Sequence, residues 1–310
     1  MSIKSATRRL LARYRKLSQR SYQRKEGLAK ISGAIDTGLP RLLEKSLKSL
    51  VLEDWSKATD EVALKVEAIR KQVANLGKQK IPIIYSPKPC DPEEASKEGF
   101  RPSPGEKKYF EAHKLADQTS VSESLGRFLY SSCSALGAKS IIELGACVGV
   151  GSSYLASANN CTSFIGIEGA PELAKIANQS VANINPKAKV INGLFDDVLD
   201  DLLPNLKCGL DGAWIDGHHE REATLHYLKR LQPHLSENAI VLFDDIYWSD
   251  NMLEAWKRIE KWPGFSCTVN LGLCGFGIWT GNMMKPINFD LSAYVGHGSW
   301  HPANPLGLNT

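Results

Sequence analysis

The chain lacks any CxxC pair among its seven cysteines, Cys90, Cys133, Cys147, Cys161, Cys208, Cys267 and Cys274. An odd number without that spacing argues against a disulfide framework and against a structural zinc site, and points to reduced thiols in a cytoplasmic setting. Apolar runs are short: none approaches the ~18 residues needed to cross a bilayer, so no transmembrane segment is expected. Internal repeats and low-complexity tracts are also absent. At the start of the chain the missing residue type is acid. Lys4, Arg8, Arg9, Arg13, Arg15, Lys16, Arg20, Arg24 and Lys25 all precede the first acid, Glu26. No apolar core follows these charges, which argues against a secretory signal.

What is present is ordinary for a soluble globular protein: 310 residues, 43% hydrophobic, 23% charged, with a formal net charge of +4. The net charge hides the basic start, where Leu10, Leu11, Tyr14 and Leu17 fall at roughly helical spacing. That pattern suits a membrane-surface helix, a nucleic-acid arm or a transit peptide, beside the plainer reading of a solvated basic helix. A peripheral contact with an anionic surface is therefore one expectation. Helical periodicity continues in "LPRLLEKSLKSLVLEDW" and "DEVALKVEAIRKQVANL", the second with Val62, Leu64, Val66, Ile69 and Val73 as an apolar stripe. Residues 1–80 thus read as a basic helical extension. Residues 81–106, "IPIIYSPKPCDPEEASKEGFRPSPGE", read as a proline-rich linker.

From about Lys107 the texture changes. "SVSESLGRFLYSSCSAL" is helical, with Ser120 or Ser122 as cap. Short apolar runs at "SIIEL", "SFIGIE", "AKVING", "GAWID" and "AIVLFDD" then alternate with helices such as "PELAKIANQSVANI" and "EREATLHYLKRLQPHL". The expectation is an α/β domain over 107–282: a Rossmann-like doubly wound sheet, mostly parallel. "FSCTVNL" and "GFGIWTG" follow without a helix between them, as a C-terminal antiparallel hairpin. Residues 283–310 are left as a tail, rich in aromatic, His and Gly residues, that would either fold over an acceptor pocket or lie on the surface.

Chemistry should collect at the carboxyl ends of such strands. Glu143, Glu168, Asp196, Asp197, Asp216, Asp244 and Asp245 all fall there. A single acid in that place is a helix cap, but acids after every strand ask for more. The loop "ELGACVGVGSSYLA" has Gly149 and Gly151 but Tyr154 where a dinucleotide motif needs its third glycine. Glu143 also opposes a pyrophosphate, and no Gly-Lys-Ser/Thr supports a P-loop. A cationic ligand without phosphate fits better, and S-adenosylmethionine is one.

"ELGACVG" followed by "IGIEGAPEL" resembles the first two motifs of class I S-adenosylmethionine-dependent methyltransferases, and the similarity runs over about residues 107–281. The resemblance implies a loop shaped by Gly145 and Gly149 under the methionine part, with Glu143, Ala146, Gly151 and Ser152 around it. It also implies that Glu168, with Gly169 beside it, takes the ribose hydroxyls, and that Phe195 or Asp196 lies nearest the adenine. "AWIDGHH" and "VLFDDIYWSDNM" resemble the later motifs of the metal-dependent O-methyltransferase branch, the catechol and macrolide-sugar enzymes. By that likeness Asp216, Asp244 and Asp245 are the metal ligands for a magnesium ion, and His219 is the general base, with Asp216 shared between metal, cofactor and catalytic roles. His218 is adjacent and stays open as the base. Carboxylate donors suit a hard octahedral cation.

The implied function is O-methylation of a small hydroxylated or glycosidic acceptor. A non-catalytic binding or scaffold protein with the same fold, anchored by its basic end, is the alternative; a dinucleotide oxidoreductase is a poorer third. A homo-oligomer is left open. Trp248, Trp256 and Trp262 are expected to pack rather than to form an acceptor platform.

Overall fold

The computed structural model describes residues 3–85, 90–103, 105–272 and 274–295, with side chains from residue 20 onward except at Tyr85. Helix α1 (Ile3–Thr37) is continuous; α2 (Glu44–Leu52) and α3 (Lys57–Ala74) follow. Ser56 caps α3 by accepting from the Thr59 N–H. Strand β1 (Lys80–Tyr85), a short turn of helix α4 (Pro92–Ala95) and strand β2 (Glu106–Glu111) come next. A brief helix α5 (Ala112–Lys114) runs into a single π turn (Leu115–Thr119).

The α/β domain then alternates as expected: α6 (Glu123–Ala135), β3 (Ser140–Leu144), α7 (Val150–Ala156), β4 (Ser163–Glu168), α8 (Pro171–Ala182), β5 (Ala188–Asn192), α9 (Phe195–Leu202), β6 (Leu210–Ile215), α10 (Arg221–Leu231), β7 (Leu235–Phe243), α11 (Asp250–Ile259), β8 (Gly264–Asn270), β9 (Gly275–Asn282) and β10 (Ile287–Asp290). Ser122, not Ser120, caps α6; the Ser120 hydroxyl donates instead to the Leu115 carbonyl.

The main sheet has the order β10-β8-β9-β7-β6-β3-β4-β5. From β7 through β5 all pairs are parallel, and the β8–β9 hairpin is antiparallel. The chain winds outward from β3 to β5 and then returns to place β6 on the other side of β3, so the order reverses between β3 and β6. The period-two alternation of each strand builds two cores. Ile141, Phe164, Trp214 and Ile240 face α6, α7 and α8, while Ile142, Ile167, Ala213 and Val241 face α10 and α11. Both faces are covered, which is why these strands read as near-continuous apolar runs.

Three features depart from the sequence reading. The supposed linker is bracketed by a two-stranded antiparallel pair, β1 with β2, from Lys80↔Glu111 to Tyr85↔Glu106. Within 283–310, Ile287–Asp290 forms β10 on the sheet edge, parallel to β8; residues 296–310, which carry the expected pocket-covering tail, lie outside the described residues. The helical extension is no appendage. Ile31, Leu43, Leu47 and Val66 belong to the same apolar core as Phe128, Tyr154 and Phe164. Leu64 leaves the expected stripe: it is 72% exposed, and Ala63 takes its place inside. The basic start is helical, and Arg20 and Arg24 both pair with Glu53. No described helix is long and apolar enough to cross a membrane.

Candidate active site

The reversal of strand order opens a crevice at the carboxyl ends of β3 and β6, the place where open α/β sheets bind ligands. Gly145 leaves β3 with φ +107°, and a Cβ there would lie 1.9 Å from the Asp216 carbonyl oxygen. Only glycine fits. Its N–H and that of Ala146 donate to the Ile167 carbonyl, at 2.9 and 3.2 Å, which ties the loop across to β4. Gly149, φ +85°, caps α7, and a Cβ on it would meet the Ala177 backbone at 2.8 Å. The loop therefore lies close against both neighbours.

Glu143 sits under this loop, 2% exposed. Ser152 is fully buried and its hydroxyl donates to the Glu143 carboxyl, so Ser152 holds Glu143 and does not face the crevice. A Cβ on Gly151 would stand 3.1 Å from the other Glu143 oxygen. Burial pushes the Glu143 carboxyl up to about 8, with Glu168 and Asp244 adding to the rise. Glu168 closes β4. One oxygen accepts from the Cys147 N–H at 2.9 Å and the other from the Ala170 N–H at 2.8 Å, and burial still pushes it up to about 7. Cys147 has φ +47°, a left-handed turn that aims this N–H at Glu168. Gly169 is covered by Ile84 of β1, whose Cδ1 is 3.4 Å from where a Cβ would be. The β1–β2 pair thus forms one wall beside Glu168.

The two candidates from "NGLFDDV" part company. Phe195 packs against Gly217, His218 and Tyr227, at the crevice side of α9. Asp196 points away. It is 5% exposed and accepts from His226 Nε2 at 2.8 Å and from Arg230 at 2.6 Å, an ion-paired tie between α9 and α10 that leaves it no part beside a base. The sequence reading missed this because the partners lie about 30 residues downstream, and nothing local signals them.

Asp216, Asp244, Asp245 and His219 do come together. His219 Nε2 lies 3.7 Å from Asp216 Oδ1 and 3.8 Å from Asp245 Oδ2, beyond hydrogen-bond reach of either. Asp245 has φ +51°, which turns it back toward the crevice. Asp216 and Asp244 lie close enough that each bears on the other's charge. Burial first, and then the neighbouring acids, hold Asp216 well above the usual carboxylate range; burial and then Asp245 raise Asp244, with His219 and Asp216 opposing, and burial alone takes Asp245 to about 7. Burial lowers His219, partly offset by Asp244, so the imidazole is neutral at neutral pH. Carboxylate donors are right in kind for a hard cation. As they stand, no group of three or more His, Cys, Asp or Glu among the described residues is arranged around a metal position.

His218, which the sequence left open, is engaged at both nitrogens. Nε2 donates to the Ser103 carbonyl at 3.1 Å, leaving Nδ1 to accept from the Tyr227 hydroxyl at 2.9 Å. It fastens residue 103 to the site rim, and both of its ring nitrogens already have partners. Trp256 is buried, and Trp262 donates to Gln232, as packing residues should. Trp248 differs: its ring centroid is 5.9 Å from that of His219, at the crevice mouth.

Residues 142–246 match a family model described as a methyltransferase domain. That span begins inside β3 and ends just past β7, so it contains the glycine loop, Glu168 and both acid-bearing strand ends. The sheet, the glycine loop and this match agree in marking residues 142–246 as a methyltransferase domain, and its motifs resemble those of class I S-adenosylmethionine-dependent enzymes of the O-methyltransferase branch. Similar solved structures include an O-methyltransferase from Bacillus cereus in complex with SAH, at 18% identity over 52% of this chain and 83% of that chain, with TM-score 0.46. Others are the O-methyltransferase TomG from Streptomyces achromogenes, involved in tomaymycin synthesis and in complex with SAM (16% identity, 53% and 82% covered, TM-score 0.47), and the SAH-bound methyltransferase PaMTH1 of Podospora anserina (14%, 53% and 81%, 0.45). No curated protein matches the chain significantly.

Proposed function

We propose that the protein transfers the methyl group of S-adenosylmethionine to an oxygen of a small hydroxylated or glycosidic acceptor, with a divalent metal ion assisting. The observation that carries this reading is the convergence of His219, Asp216 and Asp245 at two adjacent strand ends beside the glycine loop. The methionine part lies along Gly145–Gly149, Glu168 accepts from the ribose hydroxyls, and Phe195 flanks the adenine. The two Glu168 oxygens accept from the Cys147 and Ala170 N–H groups and keep further acceptor capacity for a hydroxyl.

Methyl transfer is an in-line displacement. The acceptor oxygen forms a bond to the methyl carbon, the carbon–sulfur bond breaks, and the sulfonium leaves as neutral S-adenosylhomocysteine. Oxygen nucleophile and sulfonium cancel charge in the transition state, so positioning and water exclusion supply much of the rate. Deprotonation is the harder part, since a phenolic hydroxyl has a pKa of about 10 and a sugar hydroxyl a higher one. His219 Nε2 takes that proton, and its neutral state at pH 7 suits it to do so. A magnesium ion bound by Asp216, Asp244 and Asp245 would supply positive charge beside the acceptor oxygen and ease its ionisation.

Turnover with labelled cofactor across a panel of phenols, catechols and glycosides, with magnesium and with chelator, tests this reading. Product is expected on at least one acceptor class, with activity lost in chelator and restored by magnesium. Asp245→Asn should need more magnesium for the same rate. Full activity in chelator removes the metal from the reading, and no product on any acceptor removes the enzyme.

The basic segment Met1–Lys25 adds a contact with an anionic surface. Full-length protein should bind anionic vesicles or nucleic acid at low salt, and a chain beginning at Lys30 should not, with binding falling steeply as salt screens it. Equal binding by the two would leave a solvated helix.

A further inference from the structure

The sequence position that breaks the dinucleotide pattern has its own use. Tyr154 follows the glycine loop on α7, and its ring is fully buried against α6, where a Cβ on Gly126 would come within 2.2 Å of it. The ring passes through that notch and reaches the N-terminal extension: the Tyr154 hydroxyl donates to Glu67 of α3 at 3.0 Å. Glu67 in turn accepts from Arg70 Nε at 2.7 Å. The Arg70 side chain, 12% exposed, gives Glu67 a second, longer bond from Nη2 at 3.3 Å, and reaches backbone with one hydrogen bond to the Ala116 carbonyl at 2.6 Å and one to the Val121 carbonyl.

Those two carbonyls flank the end of the π turn and the entry to α6. A π turn is a poor conformer to hold without outside help, because its backbone bonding is irregular. Residues of this same stretch meet the glycine loop. Thr119 Oγ1 is 3.8 Å from Cys147 Sγ, and Val121 Cγ1 is 3.6 Å from where a Cβ on Gly151 would be. Cys147 is the residue whose N–H holds Glu168. Extension, π turn and glycine loop are thus linked by one continuous set of hydrogen bonds and contacts.

We propose that Arg70, held by Glu67 and through it by Tyr154, is a positioning residue for the cofactor: it fixes the 115–121 turn against the glycine loop and makes the helical extension part of the cofactor site. The assignment rests on the reading that S-adenosylmethionine lies on that loop. A guanidinium is needed because its fork gives donors to two carbonyls and a carboxylate at once, which a lysine ammonium cannot match in geometry.

The test uses full-length protein, calorimetry with S-adenosylhomocysteine, steady-state kinetics and hydrogen exchange. Arg70→Lys is expected to weaken binding of S-adenosylhomocysteine roughly tenfold, the weight of one hydrogen bond to a charged group. The KM for S-adenosylmethionine should rise with it while kcat changes little, and amides 115–121 should exchange faster. Tyr154→Phe, which keeps the ring and removes one hydroxyl, should shift exchange at 115–121 in the same direction, and it carries the prediction should Arg70→Lys not fold. A folded Arg70→Lys that melts lower but binds S-adenosylhomocysteine as the wild type does would reduce Arg70 to a structural tie and overturn the proposal. So would unchanged exchange at 115–121 in Tyr154→Phe. A wild type that binds no S-adenosylhomocysteine, or a Glu168→Ala variant that binds it equally well, would instead strike at the cofactor reading itself.

Discussion

His219→Ala is expected to lower turnover by roughly 10²–10⁴-fold, the usual weight of a general base, while binding of S-adenosylhomocysteine stays near the wild-type value. The separation follows from position. His219 touches the acids at the ends of β6 and β7, whereas Glu168 and the glycine loop lie on the β4 side of the crevice. The deficit should shrink as pH rises, because hydroxide then takes the acceptor proton. His218→Ala should behave differently. Its ring nitrogens are bonded to Tyr227 and to the Ser103 carbonyl, so its loss loosens the 90–103 segment without removing the base. Rate against pH for both variants distinguishes them, and normal turnover in His219→Ala would take the base role away from it.

The second large effect is expected at Glu168. On the proposed reading, Glu168→Ala removes an acceptor for two ribose hydroxyls, each such bond being worth roughly 1.5–3 kcal/mol when one partner is charged, so affinity for the cofactor should fall by about 10²-fold or more. It also strips the Cys147 and Ala170 N–H groups of their acceptor, which slackens the loop. Calorimetry measures the loss; unchanged affinity would mean that the ribose lies elsewhere. A pH signature accompanies it. Burial raises Glu168 in the ligand-free protein to about 7, against the opposing pull of the Ala170, Cys147 and Gly169 backbone N–H groups. Below that pH the carboxyl is protonated and offers the ribose a weaker acceptor, so affinity should decline from pH 8 to pH 6. Stability of the ligand-free protein runs the other way. A carboxyl whose folded pKa is raised favours the folded state while protonated, so its contribution is full at low pH and is lost as pH rises through about 7. The ligand-free protein should therefore melt lower at pH 8 than at pH 6, and Glu168→Gln should flatten part of that slope.

The parallel strands were legible in the sequence because both of their faces are buried. "SIIEL" and "SFIGIE" coincide with β3 and β4 residue for residue. The glycine loop was legible for a related reason: Gly145 and Gly149 stand where a Cβ has no room. What escaped has no local signature. β1 contains Pro82 and belongs to a sheet of only two strands, so neither alternation nor a long apolar run marks it. β10 is four residues long and mostly exposed, and only its partner β8 makes it a strand. Asp196 looked like a site acid until His226 and Arg230 supplied its charge partners from the next helix. His218 and His219 are indistinguishable as letters. A left-handed turn at His218, φ +62°, sends the two rings to different neighbours. Arg70 was invisible for the same reason: on α3 it is one cation among several, and its importance comes from carbonyls about 50 residues away.

The pairing of Tyr85 with Glu106 fixes where one stretch of chain leaves the body and where it returns, side by side on one ladder. Residues 86–105 are in that sense a closed excursion, and what they contain is decoupled from the register of everything else. Lengthening such an excursion is cheap, since closure entropy grows only as the logarithm of length, about 0.6 kcal/mol per doubling. Among the described residues its attachments to the body include Arg101 to Asp197 and Asp200, the Phe100 ring edge-on to His226, and the Ser103 carbonyl to His218. A different stretch could be grafted between the same two ends without disturbing a strand of the main sheet. On the proposed reading, the rim of the crevice would be exchangeable like a cassette, with the glycine-loop side left constant.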